Sequence, residues 1–137
     1  MIAQTIALDT SAIFAVLALE LEAALFTALI ARRRTLIGVP TLVEARPVME
    51  RLSHEPAIDL RGFPGRVGAT IVTFDNARLE AAAAAFHHCG KGGGHPAQLN
   101  LGEWLSYAFA KVHAVPLLFK GNAFPHTDLV PASGAPS

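Results

Sequence analysis

Short apolar runs alternate along this chain with longer segments of helical period, and that alternation restricts the fold more than any other feature. Thr5–Leu8 reads as a strand that ends at Asp9, Leu36–Val39 as a buried strand, Ala69–Phe74 as a β-branched strand and Pro116–Phe119 as a buried one. Between them, Thr10 or Ser11 can cap a helix through Phe14–Leu19. A second helix spans Glu20–Arg33, with Ala23, Ala24, Phe26, Leu29 and Ile30 at helical spacing. A third covers Thr41–Leu52, with Pro47 expected to bend or break it. Asp75 caps an alanine-rich helix to His88, and Asn100 opens another that ends at His113. His54–Arg66 is a short helix with loops, Gly90–Pro96 a loop, and Asp128–Val130 a last edge strand. Strands alternating with helices imply an α/β fold of three layers, a mainly parallel sheet flanked by helices. The whole forms a single domain over residues 1–130, followed by a disordered tail, 131–137.

Composition narrows the function classes. A 137-residue chain that is 52% hydrophobic can bury a real core without disulfides or a structural metal. Eleven basic and eleven acidic residues leave a net charge of zero, which argues against nucleic-acid binding driven by bulk charge. Arg32-Arg33-Arg34 is a local basic patch or a solvated helix end. The lone Cys89 permits no internal disulfide and no cysteine zinc site, and it suits a reducing, cytoplasmic compartment. Glu20 and Glu22 interrupt the apolar run Ile13–Ile30, so it reads as soluble helices with no membrane role.

The histidines, His54, His87, His88, His95, His113 and His126, form no HxxxH or HxH pair. The run Gly90–Pro96 lacks the spacing of a nucleotide-binding loop, although Lys91 and His95 could touch RNA phosphate.

Four residues stand where chemistry is built in such folds, beyond the carboxyl ends of strands. Asp9 ends the first strand and can hold a divalent cation or cap the next helix. Glu44 lies just past the second strand, as a ligand or as an acid favoured by the helix dipole. Asn100-x-x-Glu103 fits a capping box, and Glu103 is also a third acid for the same cleft. Tyr107 and Lys111 follow it at one and two turns and carry polar tips toward a common region. Asn122, after the last buried strand, can position water or phosphate, or serve as a turn residue. Asp128 could add a carboxylate, with capping or solvation as its ordinary role.

The order of elements, with LDTSA at Leu8–Ala12, TLVEA at Thr41–Ala45, Gly94–Lys111 and PLLFKGNAF at Pro116–Phe124, resembles the PIN-domain family and within it the VapC-type toxins of toxin–antitoxin pairs. The resemblance covers nearly the whole chain. It implies an endoribonuclease dependent on Mg2+ or Mn2+, with Asp9, Glu44 and Glu103 as metal ligands and Asn122 as a fourth catalytic residue. It further implies RNA as substrate, a small antitoxin as partner and a homodimer.

Two positions depart from the family pattern. Glu103 stands where the family usually has Asp, and Ala123 where a further Asp often follows. A carboxylate misplaced by about 1 Å can cost on the order of 10²-fold in rate, so reduced activity is expected. The alternative is a degenerate PIN protein that works only by binding its antitoxin or partner. A generic α/β domain with no site would require four coincidences of placement.

Overall fold

The structure is a computed structural model and describes residues 4–91, 99–125 and 127–132. In chain order the elements are β1 (Thr5–Leu8), α1 (Thr10–Leu17), α2 (Ala23–Ala31), β2 (Arg34–Gly38), α3 (Val39–Leu52), α4 (Pro56–Val67), β3 (Thr70–Val72), α5 (Asn76–Lys91), α6 (Leu101–His113) and β4 (Leu117–Leu118). The strands pair in the order β3-β2-β1-β4, all parallel, as the alternating pattern requires.

Successive side chains of the central strands go to opposite faces of the sheet, with the period of two that a strand imposes. Ile6, Leu8, Ile37 and Leu118 belong to one core with Ala12, Ile13, Phe26, Ile30, Met49 and Phe63 from α1 to α4. Ala7 and Leu117 belong to the other, beneath Tyr107, Phe109 and Ala110 of α6 and beside Phe124. Each face of the sheet is thus sealed by its own helical layer.

Boundaries differ from the sequence reading where tertiary contacts override local pattern. Glu20 and Glu22 lie in the turn between α1 and α2, so the second helix is shorter than expected. β2 begins at Arg34 because Arg34 pairs with Thr5 in register. α3 runs unbroken through Pro47, where both Pro47 and Val43 are exposed and solvent can take the carbonyl that proline cannot bond. α5 continues through Gly90 and Lys91, which the sequence reading placed in a loop. The rest of that loop, with His95, lies outside the described residues, as do the side chains of His87, His88, Cys89 and Lys91, residue His126 and residues 133–137.

Asp128–Val130 forms no strand. The chain instead makes a single parallel bridge between Leu117 and Pro131. Leu117 N donates to Val130 O at 3.0 Å and Ala132 N to Leu117 O at 2.8 Å, which carries the ordered domain to Ala132. Among the described residues, no helix is long and apolar enough to cross a membrane.

The α5–α6 layer carries one titratable junction. Arg78 Nε donates to His113 Nε2 at 3.1 Å, and Arg78 also pairs with Asp75 at 3.1 Å. The His113 ring lies 4.4 Å from that of Phe109. Burial, and then the Arg78 charge, push the His113 pKa below its ordinary value. A depressed histidine binds its proton less readily when folded, so its stabilisation is present above the ordinary range near pH 6.5 and is lost as pH falls through the folded value. Thermal unfolding should therefore show a fall in Tm between about pH 7.5 and pH 5 that is shallower in His113→Gln.

Candidate active site

The strand order reverses between β1 and β4, and in open α/β sheets that reversal opens a crevice beyond the carboxyl ends. Asp9 leaves β1 at this point and is only 5% exposed. Asp9 itself caps α1, the ordinary role its position in the sequence allowed, in place of Thr10 or Ser11. Its Oδ2 accepts Ser11 N at 2.9 Å and Ser11 Oγ at 2.6 Å. Ser11 Oγ in turn accepts the backbone N–H of Lys120, just beyond β4, at 2.9 Å. A relay of donors thus runs from the β4 loop through Ser11 to the carboxylate.

Glu44 comes to the same region from the second turn of α3. Its Oε1 accepts a hydrogen bond from the buried Thr10 hydroxyl at 2.5 Å. Its Oε2 faces the first turn of α6, where a Cβ placed on Gly102 would stand 1.6 Å away. Glu44 is therefore hydrogen-bonded by Thr10, the residue that follows Asp9. Neither Asp9 nor Glu44 belongs to any ion pair found among the described residues.

Glu103 lies at the third position of α6, one residue from the glycine against Glu44. Its Oε1 accepts Asn100 N at 3.0 Å, while Asn100 Oδ1 accepts Glu103 N at 2.8 Å. The capping box written in the sequence is formed, and it occupies this carboxylate. Among the described residues, no three acids, histidines or cysteines are grouped closely enough to hold a metal. Asn122 is exposed and follows Gly121, whose φ of 109° marks the turn beyond β4. Ala123 packs against the apolar cluster around Phe124.

Tyr107 and Lys111 do share a region, but not the one that holds Asp9. Tyr107 donates to Asp128 Oδ1 at 2.7 Å and Lys111 to Asp128 Oδ2 at 2.8 Å. Burial pushes the Asp128 carboxyl up, yet the Lys111 and Tyr107 hydrogen bonds outweigh it and hold the pKa below its usual value. The assembly adjoins Gln4 and Pro116, at the amino ends of β1 and β4. Arg34 starts β2 at that same end, so the arginine run does not flank the acids.

Sequence reasoning missed Ser11, Thr10 and Gly102 as supports of the acids, although all three lie within the quoted motifs. It also missed Lys120, whose Nζ pairs with Glu20 at 2.9 Å and Glu22 at 3.2 Å and ties the α1–α2 turn to the β4 loop. Those two acids raise the lysine pKa through hydrogen bonds, from Glu20 first and then Glu22. Nothing in the spacing of Lys120 and Glu20 announces this pair, which spans a hundred residues.

The chain is thus a short α/β domain with a PIN-like parallel sheet and two acids beyond the carboxyl ends of its strands. Ribonuclease VapC42 of Mycobacterium tuberculosis is 37% identical over 127 residues, covering 90% of this chain and 96% of its own length. Ribonuclease VapC of Mycolicibacterium smegmatis is 37% identical over 124 residues, covering 89% and 95%. The crystal structure of M. tuberculosis VapC20, a sarcin-ricin loop cleaving toxin, superposes with a TM-score of 0.64 at 16% identity, covering 86% of this chain and 92% of that one, and bears out the fold. No protein-family model matches. The chain belongs to the VapC ribonuclease family, in keeping with the resemblance of its motifs.

Ser11→Ala removes the hydroxyl that joins Lys120 N to Asp9. It should lower unfolding free energy by about 1 kcal/mol in urea titrations, since the Ser11 backbone N–H still caps the carboxylate.

Proposed function

We propose that this protein is a divalent-metal-dependent endoribonuclease toxin that cleaves RNA phosphodiesters at the crevice between β1 and β4. The observation that carries the reading is the hydrogen bond to Glu44 from Thr10, the residue that follows Asp9, in a chain 37% identical to VapC ribonucleases. The donor set fits a hard, hydrated cation. Two carboxylates supply oxygen ligands, and Mg2+ is held by one or two carboxylates while keeping several waters. Mn2+ suits the same oxygens.

Asp9 and Glu44 would hold the cation. When bound, it would supply charge stabilisation for the phosphate and a more acidic water. The chain's own groups do the rest. Ser11 and the Lys120 N–H fix the Asp9 carboxylate, Thr10 fixes Glu44, and Asn122 offers an exposed amide to orient water or a phosphate oxygen. Glu103 would serve as the third ligand with its carboxylate released from Asn100 N. Single-stranded or loop RNA is the substrate, since its bases are accessible and the neutral chain has no bulk field for duplexes.

The same reading includes a cytoplasmic setting, a homodimer and a small antitoxin. Leu21 and Leu25 stand exposed on the N-terminal helical hairpin and offer apolar area for the dimer. An arginine from an antitoxin tail would pair with Asp9 or Glu44 and exclude the cation. An open cavity of ≈ 650 Å³ lined by Leu17, Leu19, Met49, Leu52 and Asp59 offers an apolar segment of that tail a seat.

The capped state of Glu103 and the missing acid at Ala123 favour a second reading, a binding protein that no longer cuts. Manganese-dependent cleavage of structured RNA decides between them. Activity in the wild type and its loss in Asp9→Ala support the nuclease; activity that survives Asp9→Ala sinks the site. An inactive wild type that gains activity with Glu103→Asp and Ala123→Asp establishes degeneration.

Glu103→Gln separates the two roles of that side chain, because glutamine also closes a capping box but carries no charge. Its stability should match the wild type while its Mn2+ affinity falls about tenfold or more, as read by calorimetry. Unchanged affinity would leave Glu103 as a cap alone.

A further inference from the structure

We propose that Gly102 is a positioning residue for Glu44: the space left by its missing side chain is where the second acid's carboxylate lies. The inference rests on the reading of Asp9 and Glu44 as the cation pair. A Cβ on residue 102 would come within 1.6 Å of Glu44 Oε2, 2.2 Å of Cδ and 2.6 Å of Oε1. All three distances are below any real contact, and all fall on one carboxylate. The Thr10 hydroxyl binds Oε1 at 2.5 Å, so the group meets a donor as well as the space the glycine leaves.

Neither backbone angle nor helix formation explains glycine at this position. Gly102 is the second residue of α6, inside a helix, and its φ is not among the positive values of the chain. Alanine is the better helix former there. What alanine would displace is the end of a flexible side chain, so the helix survives and the carboxylate moves. Asn100 and Glu103 hold the first turn of α6 in place by their reciprocal cap, which keeps residue 102 from retreating.

Gly102→Ala, Glu44→Asp and the double variant, made in the full chain, test this. In metal-free protein, Gly102→Ala should fold with a Tm no lower than wild type while shifting the Glu44 side-chain carboxyl carbon and the Thr10 methyl resonances. Its Mn2+ affinity by calorimetry should fall 10- to 100-fold. Glu44→Asp shortens the arm by one methylene, so the double variant should bind Mn2+ more tightly than Gly102→Ala alone. Unmoved Glu44 and Thr10 resonances in Gly102→Ala overturn the proposal, as does a double variant no better than the single one. A wild type that binds Mn2+ no better than Asp9→Ala overturns the metal reading instead, and the resonances of the metal-free variants still decide where Gly102 puts Glu44.

Discussion

Everything else in this molecule depends on the burial of β1. Ile6, Ala7 and Leu8 are at most 1% exposed, and β1 is hydrogen-bonded on both edges, to β2 and to β4. A parallel strand in that position must be covered on both faces. Ile6 and Leu8 meet the side chains of α1 to α4, while the small Ala7 leaves room for Tyr107 and Phe109 of α6. A slip of one residue would exchange these faces and drive Ile6 into the narrow side. Register is therefore fixed, and with it the point at which Asp9 leaves the sheet.

The sheet also separates two kinds of polar assembly, which a net charge of zero conceals. At the amino end, Asp128 is neutralised by Lys111 and hydrogen-bonded by Tyr107, a closed arrangement that pins the last segment to α6. At the carboxyl end, Lys120 lies close to the acids in sequence order of elements, yet its ammonium is taken by Glu20 and Glu22. Asp9 and Glu44 are left with hydroxyl and amide donors only.

The layer order, the parallel sheet and the strand ends were legible in the sequence because they follow from period and from residues such as Asp9 that end an apolar run. The capping box was legible too, since Asn100 and Glu103 need only local spacing. What stayed hidden depends on distance along the chain. Lys120 with Glu20, Tyr107 with Asp128 and Glu44 with Gly102 join elements whose approach no local pattern encodes. Pro47 marks no break in α3 for a related reason. Its penalty inside a helix is largest where the freed carbonyl is buried, and here the site is at the surface. Asp128 misled in turn, because a carboxylate in a short apolar stretch reads as an edge strand until its partners on α6 are seen.

The first turn of α6 shows why the two departures from the family pattern belong together. Glutamate is the acid that closes a capping box at the third helical position. With Glu103 there, the side chain reaches Asn100 N and satisfies one of the orphan donors of the helix start. Ala123, partly buried against the cluster of Phe119 and Phe124, adds apolar contact where an aspartate would bring a charge to be solvated. Ala123 thus carries no charge where an aspartate would, while Glu103 keeps its charge and commits one oxygen to the cap. Both residues are held by local contacts of the fold, a cap at Glu103 and an apolar cluster at Ala123. Asp9 and Glu44 are held differently: Ser11 bonds Asp9 Oδ2, Thr10 bonds Glu44 Oε1, and Gly102 leaves the space in which the Glu44 carboxylate lies.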